Sequence, residues 1–363
     1  MSNFTTRDVH ERACRGRDSW WTVWLVDPLA VPLVRVTANR TSVTPNQLTV
    51  AALLLGLGAA ACFAWASWPF LLAGALLYAL CFLVDCMDGK LARLTDQETL
   101  FGGWMDYVFD RFRVLVCAIA LMGGQYAETG NVVFVWLALA VVFCDMLRYL
   151  NALQVYKVRR EMRSYLAAAL ERARATLTML EPGRGGKEQR FSQSAQEDTQ
   201  STEQPTMSDS GEQAVLRHGI SVLEGLLRAQ NEREAEVGRE AGKEPDLRLP
   251  KVDLHLQFRS RFPWYQRYWD FLRARRVRTH LVSGIEFQMA VFVVAPLVGM
   301  FSSPAIIWVT VPVGVALLAF EIAIVYKLWL STQDFFRVVD GIEGALTFGR
   351  APQAGLRLAE GSS

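Results

Sequence analysis

Residues 85–110 decide the reading: Asp85-Cys86-Met87-Asp88-Gly89-Lys90-Leu91-Ala92-Arg93, a linker of eight residues, then Gly102-Gly103-Trp104-Met105-Asp106-Tyr107-Val108-Phe109-Asp110. Long apolar runs flank this stretch, so it places four carboxylates where two such runs meet. Asp85 and Asp88 are three apart and Asp106 and Asp110 four apart, so on helices each pair projects from one face. If the two helices are antiparallel neighbours, all four acids converge at one end of the pair. One acid near a span end is simply solvated at the interface, but four at this spacing read as a functional site.

Working outward, the chain is 52% hydrophobic over 363 residues, and its apolar residues are gathered into blocks. Six can be read: Leu48 to Ser67, Trp68 to Asp85, Tyr107 to Met122, Val132 to Leu153, Leu281 to Met300 and Pro304 to Leu330. A hydrocarbon core about 30 Å thick asks for about 20 helical residues, so the third is short and the others suffice. No Lys or Arg occurs between Thr49 and Gly89, Val114 and Leu147, or Leu281 and Tyr326. Arg12, Arg15, Arg17, Arg35, Arg40, Lys90, Arg93 and Lys327 crowd the opposite ends. The positive-inside rule then puts both termini, the middle segment and the aspartates on the cytoplasmic side. Trp20, Trp21, Trp24, Leu25, Leu29 and Leu33, mixed with Asp27, Pro28 and Arg35, predict a helix lying in the interface. Thr44-Pro45-Asn46-Gln47 suits a helix start, with proline in the first turn.

The expected organisation is a cytoplasmic N-terminus with the interfacial helix (1–46), four spans with the acidic stretch (47–155), a cytoplasmic insertion (156–279), two more spans (280–330) and a cytoplasmic tail (331–363). In the insertion, Lys157 to Leu180 reads as helix, and Glu181 to Gln213 has too little apolar content to offset ordering. Val215 to Arg228 has helical spacing, Val252 to Phe258 alternates weakly like a strand, and Phe262 to Arg278 mixes aromatic and basic residues suited to headgroups.

Carboxylates packed this closely repel one another unless a cation neutralises them. Hard oxygen ligands suit Mg²⁺ or Mn²⁺, which hold the phosphate oxygens of a diphosphate. Gly89, Ala92 and Gly102 permit close approach of a helix or a flat ligand, and Arg93 offers paired donors to phosphate.

The full pattern, D-x2-D-G-x2-A-R-x8-G-x3-D-x3-D, resembles the signature of the CDP-alcohol phosphotransferase family, as do the interfacial helix and Thr44-Pro45-Asn46 before the first span. The resemblance runs from about Trp20 to Tyr156 and through the last two spans. It implies an all-α integral membrane fold of six helices around a cytoplasm-facing polar cavity. Within it, Asp85, Asp88, Asp106 and Asp110 would bind two Mg²⁺ or Mn²⁺ ions, Asp110 would be the general base, and Gly89, Ala92, Arg93 and Gly102 would help form the nucleotide site. The implied reaction moves a phosphoalcohol group from a CDP-linked donor, first of all CDP-diacylglycerol, to an alcohol, releasing CMP in phospholipid synthesis. A homodimer is a further implication.

Other polar residues remain to be placed. Asp145 and Arg148 are spaced as an intrahelical pair, or Arg148 grips a phosphate of donor or acceptor. Glu286 and Glu321 are costly in lipid and should face a cavity or a partner, Glu286 being a candidate acceptor contact. Of Arg111 and Arg113, at most one should line the cavity. The six cysteines lack metal-ligand spacing, as do His218, His255 and His280. A net charge of +2 gives no footprint for nucleic acid. Two other functions fit parts of the pattern. A membrane prenyltransferase would use DxxD-bound Mg²⁺ and release diphosphate, and a non-catalytic cation-binding scaffold would recruit partners through its insertion.

Overall fold

The computed structural model of the chain describes residues 4–14, 18–180, 217, 219–221, 224–225, 227–228 and 282–348. Among these it is all-helical, without a strand. Two compact units are formed. One holds the described residues up to Val155 and those from Val282 to Tyr326; the other holds those from Tyr156 to Arg228 and from Lys327 onward. The low-apolarity stretch Glu181 to Gln213, the alternation Val252 to Phe258, the aromatic-basic piece Phe262 to Arg278, and His218, His255 and His280 lie outside the described residues.

In the first unit, a helical turn at Thr6–Asp8, capped reciprocally by Thr5 and Asp8, runs into a wide turn at Val9–Ala13. A second wide turn, Thr22–Val26, leads into α1, Asp27–Arg40. This segment buries Ala30, Val31 and Val34 and exposes Trp24, Leu25, Leu29, Leu33 and Val36. The segment thus has one buried and one exposed apolar face.

Helix α2, Pro45–Ala64, starts where its sequence predicts: the Thr44 hydroxyl accepts from the Gln47 N–H, and the Gln47 side chain accepts in return from the Thr44 N–H. Helix α3, Trp68–Leu94, follows a tight turn, and α4, Leu100–Thr129, is capped by Thr99 and ends at Gly130, whose φ of 68° favours glycine. Small residues on α2 (Ala52, Gly56, Ala59, Ala60) let its neighbours approach closely. Gly124 of α4 shows how closely: a Cβ there would lie 2.6 Å from the Phe63 carbonyl oxygen. Helix α5 runs Val133–Leu180, and α6, Gly284–Gly299, contains a wide turn at Ala290–Val294. Helix α7 is Ser303–Phe348.

Each of the six apolar segments is thus a helix. Four stretches, Pro45–Ala64, Trp68–Leu94, Val133–Thr178 and Ser303–Gln333, are long and apolar enough to cross a membrane. The third segment is not short as a helix: α4 has 30 residues, about 45 Å at 1.5 Å per residue. Only its apolar part is short, because Asp106, Asp110, Arg111 and Arg113 lie within it. Helix α6, Gly284–Gly299, is the shortest of these six.

In the second unit, Met162, Leu166, Ala169, Leu170 and Ala173 pack with Phe335, and Ile220 and Leu227 lie against them. Arg174 pairs with Glu224 at 2.7 Å. The described positions between Arg217 and Arg228 are helical, as their spacing predicts.

Candidate metal centre

The C-terminal end of α3 and the first turns of α4 carry the acidic stretch. The beginnings of α2 and α4 meet at Gly102, where a Cβ would come within 2.9 Å of Thr99 Oγ1 and 3.1 Å of Asn46 Oδ1. Glycine at this position therefore permits the contact that sets the helix register. One turn later, Asp106 reaches Asp85 and Asp88, and one carboxylate oxygen from each of the three lies within 4.8 Å of the others. Asp88 is buried, and Asp85 and Asp106 are partly so. The Thr49 hydroxyl on α2 donates to Asp88 Oδ2 at 2.6 Å, with the Pro45 carbonyl farther off at 3.2 Å.

Asp110 is held differently. Its Oδ1 accepts from Nη2 of Arg113, whose Nη1 donates to Asp85 Oδ1 at 3.0 Å. Its Oδ2 lies 3.9 Å from Arg111 Nη2. Arg111 in turn pairs with Asp145, a buried residue on α5 that also accepts from Gln288 Nε2 at 3.0 Å. Both arginines after Asp110 thus lie within ion-pair distance of it, Arg113 closely and Arg111 at 3.9 Å. The rings of Tyr107 and Tyr149 stack at 4.3 Å, with the Arg111 guanidinium 5.5 Å from the Tyr149 ring centre.

One other expectation is corrected. Asp145 is taken by Arg111 and Gln288 rather than by Arg148 on its own helix. Arg148 packs instead against the start of α6, where a Cβ on Gly284 would overlap its guanidinium. Glu286 caps α6: its Oε2 accepts from the Ser283 N–H at 2.9 Å and from the Ser283 hydroxyl. Glu321 accepts from Asn151.

Around Gly89 there is open space apart from the Arg93 guanidinium, 3.5 Å from where a Cβ would stand, and Ala92 is half-buried. Arg93 Nε donates to the Ala13 carbonyl at 2.7 Å, and Lys90 pairs with Asp27 at 3.0 Å with both side chains buried. The N-terminal segment is thus fastened to α3 beside the acids. Thr49, Arg113, Gly56, Asn46 and Gln288 are site residues that spacing does not single out. Thr49 had a signal, being a hydroxyl one turn after Pro45 in an otherwise apolar run.

Three carboxylates converging from two helices form an all-oxygen donor set, which suits Mg²⁺ or Mn²⁺ over softer metals. Thr49 supports that set from behind, as ligating carboxylates require.

Residues 42–180 match the model of the CDP-alcohol phosphatidyltransferase family. The chain is 38% identical over 84 residues to a CDP-diacylglycerol–glycerol-3-phosphate 3-phosphatidyltransferase of Cereibacter sphaeroides, covering 22% of this chain and 36% of that protein. It is 40% identical over 87 residues to an archaetidylinositol phosphate synthase of Pyrococcus horikoshii, covering 22% and 42%. Over 69 residues it is 44% identical to a bifunctional IPC transferase and DIPP synthase of Aquifex aeolicus, covering 19% and 15%. The chain therefore spans less than half the length of these relatives. With its long apolar helices, the match makes this a membrane protein.

Proposed function

We propose that this chain, which carries a CDP-alcohol phosphatidyltransferase domain over residues 42–180, transfers a phosphatidyl or other phosphoalcohol group from a CDP-activated donor to an alcohol, releasing CMP. The convergence of Asp85, Asp88 and Asp106 carries the reading. CDP-diacylglycerol is the donor this reading favours.

In this reading Asp85, Asp88 and Asp106 hold Mg²⁺ or Mn²⁺. The ion supplies electrostatic stabilisation of the donor's diphosphate. Asp110 is the general base: with Oδ1 held by Arg113, Oδ2 is the oxygen that takes the proton from the acceptor hydroxyl. The hydroxyl oxygen bonds to the donor phosphorus while the bond from that phosphorus to the CMP oxygen breaks. Gly89 and Ala92 leave the room for cytidine, and the Arg93 guanidinium, whose Nε donates to Ala13, is the phosphate-binding group in this reading. Gly102 serves by bringing α2 and α4 together. A second ion at Asp110, which the resemblance implies, would meet Arg113 there.

Arg148 supports an acceptor that itself bears phosphate, and the names of the relatives that use glycerol 3-phosphate or make an inositol phosphate lipid point the same way. Glu286, engaged as a helix cap, is a weaker acceptor contact. Clustering of Lys and Arg at one end of the spans supports six crossings with the site and both termini in the cytoplasm. A homodimer completes the reading; a monodisperse monomer in a bilayer would count against it.

The test is CMP release by purified protein with CDP-diacylglycerol and Mg²⁺ across serine, glycerol 3-phosphate, inositol and inositol 1-phosphate. Acceptor-dependent CMP that disappears in a folded Asp110→Asn variant supports the assignment, and near-normal turnover in that variant refutes the base. Release of diphosphate from a prenyl donor instead of CMP would turn the reading to a prenyltransferase. Folded protein without either activity would favour the scaffold.

A further inference from the structure

We infer that the Arg113 guanidinium occupies the place of a second cation, so that the site binds one divalent ion, at Asp85, Asp88 and Asp106. This rests on the metal-dependent reading above and narrows it. Arg113 is 3% exposed. Its Nη1 donates to Asp85 Oδ1 at 3.0 Å and lies 3.3 Å from Cys81 Sγ, and its Nη2 donates to Asp110 Oδ1. A second ion shared by Asp85 and Asp110 would be left one oxygen of each carboxylate, with this guanidinium bound to the other.

Retraction of the side chain is blocked by packing. Its stem lies in a slot left by Gly56 on α2, where a Cβ would come within 2.6 Å of Arg113 Cδ and 2.8 Å of Cγ. A buried aliphatic stem fixed on one side and two ion pairs on the other leave no second place for the charge. Charge also argues for one ion. Arg111 spends Nη1 on Asp145 and approaches Asp110 only to 3.9 Å, so Arg113 is the main counter-charge of Asp110. Two divalent ions and Arg113 together would place five positive charges against the four carboxylates of Asp85, Asp88, Asp106 and Asp110, with guanidinium and ion repelling across a shared carboxylate. Arg113 is therefore a positioning residue: it fixes one oxygen of Asp110 and leaves the other to the acceptor.

The experiment uses the full chain in lipid nanodiscs, stripped with EDTA, desalted and titrated with Mn²⁺. Bound metal is counted by elemental analysis and its spin state read by electron paramagnetic resonance. Wild type should bind one Mn²⁺ per chain with a mononuclear six-line spectrum, and Arg113→Lys should do the same. Arg113→Met, which keeps side-chain length and removes the charge, should bind two with an exchange-coupled spectrum. Two coupled Mn²⁺ in wild type would overturn the inference whether or not the Met variant folds, as would a folded Met variant that still binds one. No bound Mn²⁺ in wild type would instead overturn the metal-dependent reading itself.

Discussion

Thr49→Val is the sharpest probe of the proposed metal centre, because it removes one hydroxyl and almost no volume. In the wild type that hydroxyl donates to Asp88 Oδ2 at 2.6 Å, and the carboxylate is only 6% exposed, so water cannot replace the lost donor without rearrangement. A hydrogen bond to a charged group is worth about 1.5–3 kcal/mol, roughly 10- to 150-fold at a factor of ten per 1.4 kcal/mol. Part of this is lost from the metal-free state as well, so the effect on metal affinity falls below that ceiling, at about 10- to 100-fold, the usual cost of removing such a supporting partner. The assay is CMP release against Mg²⁺ concentration, together with direct Mn²⁺ titration. Half-saturating Mg²⁺ should rise by about 10- to 100-fold, while the rate at saturating Mg²⁺ stays near wild type. That split separates a weakened site from a misfolded protein, in which the rate would fall at every Mg²⁺ concentration. A half-saturating Mg²⁺ within about twofold of wild type would show that Thr49 does not support the ligand and that Asp88 is not held for metal in this way.

Gly124→Ala should lower the thermal unfolding midpoint in nanodiscs, at a cost of about 1–3 kcal/mol. The added Cβ would lie 2.6 Å from the Phe63 carbonyl oxygen and 2.9 Å from that of Ala64, and backbone cannot swing aside as a side chain can. Lys90→Met leaves Asp27 buried without its partner and should cost about 3–5 kcal/mol, read in the same unfolding assay. Removing both charges in Lys90→Met/Asp27→Leu should recover most of that loss; a double variant no better than the single would show that the pair is not what holds α1 to α3.

The sequence carries the acidic triad because three- and four-residue spacing translates directly into a helix face, and the start of α2 because Thr44, Pro45 and Gln47 form a local cap. The cap at the start of α6 is equally local: Ser283-Gly284-Ile285-Glu286 has the same form, and it accounts for an acid whose presence near lipid otherwise suggests a ligand. Asp145 and Arg148 show the limit of local spacing. An i,i+3 pair is worth only a few tenths of a kcal/mol, roughly 0.2–0.5, so tertiary partners outbid it: Arg111 and Gln288 reach Asp145 from other helices. Arg113 is illegible for the same reason. Its partners depend on the register of α2 against α4, which is set by contacts at Gly102 and Gly56 that no single segment specifies.

Those same long-range pairs bear on where a cation settles. Lys90 is spent on Asp27, Arg111 on Asp145, and Arg113 on Asp110 and one oxygen of Asp85. Each pair removes a basic group from the motif's neighbourhood as a counter-charge for Asp85, Asp88 and Asp106, or satisfies an acid outside that triad. Had Arg113 reached Asp88 or Asp106 instead, the guanidinium would occupy the triad and no ion would be needed there. Because its stem is trapped against Gly56, it reaches only the Asp85–Asp110 side. Negative charge is thereby concentrated where α3 and α4 face each other, with Thr49 oriented behind it, and a small divalent cation is the group that such a cluster of hard oxygens binds best. In the proposed reading, the metal position follows from how the helices distribute their arginines as much as from the aspartates themselves.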